Sequence, residues 1–212
     1  SGDASANLKK QEGHFFETNL SYGLDYDLRN SKFQPTEGFR SKFSQTLPLM
    51  TATNTIINGY DFTTHREFTR DMVGSFYFYG RAANALAEDK DVKVSSRLFM
   101  PENKLRGFES GKVGPMDGGD FIGGNYLTAL TATTTIPQIF ESFENTDLSL
   151  FLDAANIWGV DYDDHIHDSS KIRTSIGLSV DFFSPLGPLS FSFSEAITKK
   201  NTDVSETFRF NL

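Results

Sequence analysis

The side chains that most invite a chemical reading lie close together at Asp161, Asp163, Asp164, His165, His167 and Asp168. Carboxylate oxygens are ligands for calcium, and imidazoles suit transition metals, so the residue types fit a cation site. Their spacing matches neither an EF-hand nor a zinc pattern, and an acidic solvated loop between two strands accounts for the same residues. The glycines at Gly111, Gly114, Gly118, Gly119, Gly123 and Gly124 form neither a dinucleotide-binding fingerprint nor a phosphate loop, and they read as loop flexibility. GxSxG and HExxH are absent, and no nucleophile–base pair can be inferred. The expectation is a protein that is not an enzyme, with no catalytic residue, no cofactor and no metal.

The elements that carry these residues must therefore be sought in the pattern of the chain. It has 212 residues with 20 Lys+Arg against 28 Asp+Glu, a formal net charge of -8. Such a balance offers no basic surface for phosphates and excludes nucleic acid as a partner. An all-β fold of this length is commonly one domain. Mean hydropathy is -0.37, and no run of about 18 apolar residues marks a membrane-spanning helix. A transmembrane strand escapes that test, because it needs only about 9–11 residues with apolar side chains at alternate positions. The 21 Phe and 7 Tyr against 7 Pro favour strands. Cysteine is absent, which suits an oxidising compartment and the cytosol alike. Residues 1–11 contain no apolar secretion core, so an exported protein would carry its signal upstream.

Alternation is clearest after residue 145. Leu148, Leu150, Leu152, Ala154 and Trp158 share one parity, and Asp147, Ser149 and Asp153 the other. From 171 to 183, Ile172, Thr174, Ile176, Leu178, Val180 and Phe182 alternate with Arg173, Ser175, Gly177, Ser179 and Asp181. Leu189, Phe191 and Phe193 then oppose Ser190, Ser192 and Ser194, and Phe208, Phe210 and Leu212 oppose Thr207, Arg209 and Asn211. Residues 19–29 place Leu20, Tyr22, Leu24, Tyr26 and Leu28 against Ser21, Gly23, Asp25 and Asp27. With weaker patterns at 38–47, 55–64, 72–82 and 124–136, about nine strands are expected and no amphipathic helix. Short connections at 30–36 and 184–188 alternate with long polar ones at 88–123 and 159–170, the asymmetry of an outer-membrane barrel. Phe39, Trp158, Phe182 and Phe183 near strand ends suit interfacial girdles. An eight-stranded barrel is filled by its own side chains, so the long 88–123 loop implies a larger parent barrel.

Several motifs, in order, carry a resemblance. Leu105-Arg106-Gly107-Phe108 is similar to a Val-Arg-Gly-Phe/Tyr signature. The stretch from Phe151 through Asp153 and Ala155 to Trp158 is similar to Phe-x-Asp-x-Gly-x-Val-Trp, with Ala155 in place of the usual glycine. Ser184-Pro185-Leu186-Gly187-Pro188 matches a Ser-Pro-Leu-Gly-Pro hairpin, Phe208-Arg209-Phe210-Asn211-Leu212 looks like most of a C-terminal strand, and Phe33 to Gly38 resembles a Phe-Pro-Thr-x-Gly turn. Together they resemble the BamA-like family of outer-membrane β-barrel assembly factors.

That resemblance implies an all-β, antiparallel transmembrane barrel. Residues 1–212 would be the C-terminal portion of a barrel of about 16 strands, with 88–123 folding inward and 204–212 as the last strand. The signal peptide, POTRA domains and first strands would lie outside the chain. Arg106 at the loop tip would contact the luminal carboxylate Asp153, a pairing suited to the bidentate guanidinium fork. A luminal Glu that usually assists falls at Thr133. The implied function is insertion of β-barrel proteins into a Gram-negative outer membrane, with Phe208, Phe210 and Leu212 at a seam that templates client strands. Lipids, unfolded outer-membrane clients and accessory lipoproteins are the implied partners. The alternative is a transporter of the two-partner-secretion type, exporting a protein through the lumen.

Overall fold

The computed structural model describes residues 9, 18–50, 54–69, 72–87, 91–136, 146–163, 166, 172–184 and 187–211, with backbone alone at 183, 184, 187, 188 and 211. The strands are β1 (Thr18–Asp27), β2 (Gly38–Met50), β3 (Thr55–Thr69), β4 (Met72–Ala85), β5 (Met116–Asp117), β6 (Asp120–Phe121), β7 (Tyr126–Ile136), β8 (Thr146–Trp158), β9 (Arg173–Ser184), β10 (Gly187–Thr198) and β11 (Phe208–Asn211). One nine-stranded sheet runs β1-β2-β3-β4-β7-β8-β9-β10-β11, and β5 and β6 form a small separate ribbon. Each neighbouring pair in the large sheet is antiparallel.

The side-chain alternation that makes these segments strands also decides their faces. On β8, Leu150 and Leu152 are 44% and 46% exposed on the outer face, whereas Phe151, Asp153, Ala155 and Ile157 are buried on the concave one. A slip of one residue would exchange those two sets, so the apolar pattern specifies the register strongly. Ile176, Leu178, Phe193, Phe208 and Phe210 continue the exposed apolar surface, while Arg173, Ser175, Ser179, Ser192, Ser194 and Arg209 are buried opposite them. An exposed apolar belt of this extent around a polar interior belongs to a sheet whose outer solvent is lipid. Aromatic rings gather near both ends of the strands: Tyr126 with Trp158 at one end, and Phe39 with Tyr26 and Phe62 at the other.

Residues 91–125 cross the concave face. They contain two single-turn 3-10 segments and the β5–β6 ribbon, and supply Met100, Leu105, Phe108 and Val113 to a buried cluster with Leu127, Ala129, Ala155 and Ile157. The apolar core thus lies between loop and sheet. Curvature brings the β1–β2 turn towards the far wall, where Gln34 Nε2 donates to Asp147 Oδ2 at 2.6 Å.

All nine expected strands of the large sheet are present, with different limits. β2, β3, β4 and β10 run past the segments of clearest apolar alternation, to Met50, Thr69, Ala85 and Thr198. β7 starts at Tyr126, since Gly124 instead exchanges backbone hydrogen bonds of 2.9 and 2.8 Å with Leu98 of the loop. The terminal ladder on β10 begins at Phe208. Residues 204–206 pair with the crossing loop instead. Gly187 is in register with Ser184, while Pro185 and Leu186 of the hairpin motif, and Leu212, lie outside the described residues.

Leu152 lies near the middle of β8 and faces outward. Leu152→Arg should destabilise the membrane-embedded protein by about 2–4 kcal/mol, read from denaturant unfolding in lipid vesicles. Leu152→Ile should leave the midpoint nearly unchanged.

Candidate functional site

Asp153 is completely buried on the concave face of β8. An ionised carboxylate there needs its acceptor sites filled. Oδ2 accepts the backbone N–H of Arg106 at 3.0 Å and its Nε at 2.8 Å. Oδ1 accepts Nη2 of Arg106 and the hydroxyl of Thr131, each at 2.8 Å. Four donors thus occupy the roughly four lone-pair sites of a carboxylate. Thr131 is directly opposite Asp153 across the β7–β8 ladder. The threonine that reaches the ion pair is therefore Thr131, whereas Thr133 lines the open cavity nearby.

Further contacts hold Arg106 in place. Its guanidinium carbon lies 3.3 Å from the centre of the Phe151 ring, a cation–π contact in a desolvated setting. Its carbonyl accepts the hydroxyl of Ser175 on β9. The chain then reverses at Gly107, whose φ is +89°. A Cβ at that position would lie 3.0 Å from Ser175 Cβ and 3.4 Å from Ser194 Oγ, so both the backbone conformation and the space favour glycine. Leu105 and Phe108 flank this turn and are each 2% exposed.

Other links reinforce the clasp. Arg97 pairs with Asp161 at 2.9 Å, and Asp161 also accepts the backbone N–H of Val92 at 2.8 Å and Nδ2 of Asn125 at 3.0 Å. Tyr162 donates to Asp117 at 2.9 Å. Burial first, and then the Asp117 carboxylate, push its hydroxyl well above the usual phenolic range. Lys104 lies over the Tyr79 ring at 5.3 Å, with burial lowering its ammonium from the usual range. Arg173 and Asp203 form a fully buried ion pair at 2.9 Å, and Arg173 Nη1 also donates to Asn156 at 3.0 Å. Below the clasp is a polar cavity of about 940 Å³, lined in part by His65, Lys104, Arg106, Thr131, Ser149 and Asp181.

The structure brings Leu105, Arg106, Gly107, Phe108 and Asp153 together. It leaves the hairpin residues Ser184, Gly187 and Pro188 at the opposite end of the strands, where β9 turns into β10. Phe208 and Phe210 face outward and lie against Phe193 and Phe191, with ring centres 5.0 Å apart in both pairs. Of the acidic and histidine-containing segment, Asp161 belongs to the Arg97 link, and Asp164, His165, His167 and Asp168 lie outside the described residues. Among the described residues no group of three or more His, Cys, Asp or Glu is placed to hold a metal. Residue-level reading missed Thr131, Ser175, Arg97, Arg173 with Asp203, and Arg209. For Arg173 and Arg209 the available signal was a cation on the polar parity of an otherwise apolar-alternating strand.

A long loop clasped inside an antiparallel sheet with an apolar outer belt defines an outer-membrane-type barrel protein, and its profile has a name. The Omp85 superfamily domain matches residues 2–212, and the chain belongs to that superfamily. It is 25% identical to outer membrane protein assembly factor BamA of Neorickettsia risticii (strain Illinois), over 100% of this chain and 29% of that protein. It is 26% identical to the human sorting and assembly machinery component 50 homolog, over 84% of this chain and 40% of that protein. The crystal structure of BamA from Haemophilus ducreyi lacking POTRA domains 1–3 superposes with a TM-score of 0.80 at 27% identity, covering 91% of this chain and 41% of that one. The chain therefore spans well under half the length of these relatives.

Removing one partner from a buried ion pair leaves the other charge uncompensated. Asp153→Ala should destabilise the loop-bound fold by about 3–5 kcal/mol, measured as a fall in the denaturant midpoint with faster proteolysis between residues 97 and 112. An unchanged cleavage rate would show that the clasp does not hold the loop.

Proposed function

We propose that the chain is a portion of an outer-membrane barrel that inserts other β-barrel proteins, without bond chemistry, by offering a strand edge to incoming clients. The observation that carries this reading is the match of the Omp85 superfamily domain to residues 2–212, with β11 as one side of the strand edge that clients would use. A free edge presents unpaired N–H and C=O groups, and an extended client segment can satisfy them by β-augmentation. The names of the bacterial and human relatives, an assembly factor and an assembly-machinery component, support the same reading.

Phe208 and Phe210 would form the lipid-facing side of that seam, and Arg106 with Asp153 would steady the barrel wall. In this reading the chain would belong to a larger barrel of about 16 strands, with further domains outside residues 1–212. The partners would be unfolded outer-membrane proteins, the surrounding lipid and accessory lipoproteins. The similarity to BamA supports the outer membrane of a Gram-negative bacterium as its location.

The intact protein in liposomes should accelerate folding of an unfolded outer-membrane barrel relative to protein-free liposomes. Arg106→Ala should lower that rate by about tenfold or more, as expected for loss of a charge-assisted bidentate contact. Equal client folding with and without the wild-type protein would overturn the assembly reading.

A further inference from the structure

The last strand is fastened to the crossing loop as well as to β10. Backbone pairing starts where the loop leaves Gly107: the N–H of Glu206 donates to Gly107 O at 3.1 Å, and that of Glu109 to Val204 O at 2.9 Å. The N–H of Val204 donates to Lys112 O at 3.2 Å, and Phe108 and Ser205 form an antiparallel bridge. A short ribbon therefore joins the loop to the segment entering β11.

Arg209 completes the connection. It lies on the concave face of β11 opposite Ser192 and is 9% exposed. Nη1 donates to the carbonyl of Glu102, and Nη2 to the carbonyl of Phe108. Nε and Nη2 hold Glu206 Oε2 at 2.9 and 2.7 Å. One planar cation thus gathers two loop carbonyls, on either side of the Arg106 turn, and the carboxylate of the ribbon. A lysine ammonium has no fixed fork and cannot reproduce that arrangement.

We propose that Arg209 is a positioning residue that couples the Arg106–Asp153 clasp to the terminal strand edge, so that the loop and β11 are held or released together. Asp153 itself bonds to Arg106 and Thr131, not to β11. Loosening it reaches the edge through Arg106, Gly107, Phe108 and Arg209. The charge of the guanidinium strengthens each hydrogen bond, and the low-dielectric interior keeps those bonds from exchanging readily with water. In the assembly reading on which this inference builds, the coupling governs when the edge is free for a client.

Hydrogen exchange of the intact protein in liposomes tests the coupling, with the β2–β3 ladder as an internal measure of global folding. R209Q should speed exchange about tenfold in both 204–211 and 102–112 while leaving β2–β3 as in wild type. D153N should also speed exchange in 204–211, although that segment does not touch residue 153. R209K should fall between wild type and R209Q. Unchanged exchange in 204–211 for D153N, or loosening of the terminal strand alone in R209Q, would overturn the coupling. Wild-type exchange in R209K would overturn the requirement for a guanidinium fork. Client folding is read separately: intact coupling without client acceleration would remove the assembly reading and leave the coupling standing.

Discussion

A carboxylate sealed inside the concave face is the constraint around which the interior is arranged. Asp153 has no solvent to stabilise its charge, and the β8 strand that carries it cannot turn it outward without also turning Leu150 and Leu152 inward. The donors have to come from elsewhere. Thr131 supplies one from the neighbouring strand, and Arg106 supplies three from a loop whose ends lie at β4 and β7. Because both the backbone and the side chain of Arg106 participate, the site holds the loop's path as well as its charge. That is why the turn at Gly107, the hydroxyl of Ser175 and the space beside Ser194 belong to the same arrangement.

The same constraint explains an interior that differs from that of a water-soluble sheet protein. Apolar side chains on the outer face face lipid, so burying them needs no second protein layer. The concave face carries serines, threonines, aspartates and arginines, which must find partners or water. The crossing loop answers both needs: Leu105 and Phe108 enter the apolar cluster with Leu127 and Ile157, while Arg106 meets the carboxylate between them.

Arginine recurs at four of the links that tie the connections and the last strand into the interior. Arg97 links the loop to Asp161, Arg106 links it to Asp153, Arg173 holds Asp203 beyond β10, and Arg209 joins β11 back to the loop. Each guanidinium has several donors in one plane and remains charged, so it can satisfy more than one acceptor in a confined space. Lys104 lies over the Tyr79 ring, a cation–π contact of the kind Arg106 also makes with Phe151.

The strand pattern was legible from residue types because period-two alternation is a local property. Leu148, Leu150 and Leu152 against Ser149 and Asp153 already assign two faces, and nine such segments correspond to the nine strands of the large sheet. The Arg-Gly-Phe turn and the aspartate strand were also visible as motifs. Partners were not. Thr131 rather than Thr133 meets Asp153 because the β7–β8 register decides which residue lies opposite, and register is a relation between two strands. Residues 204–206 leave the last strand to pair with the loop because their backbone partners are about a hundred residues away in the chain. Arg209 could be placed on the polar face from its sequence position alone. Only the folded loop could bring the carbonyls of Glu102 and Phe108 within reach of its side chain, since contacts across such distances depend on how the whole sheet curves around what it encloses.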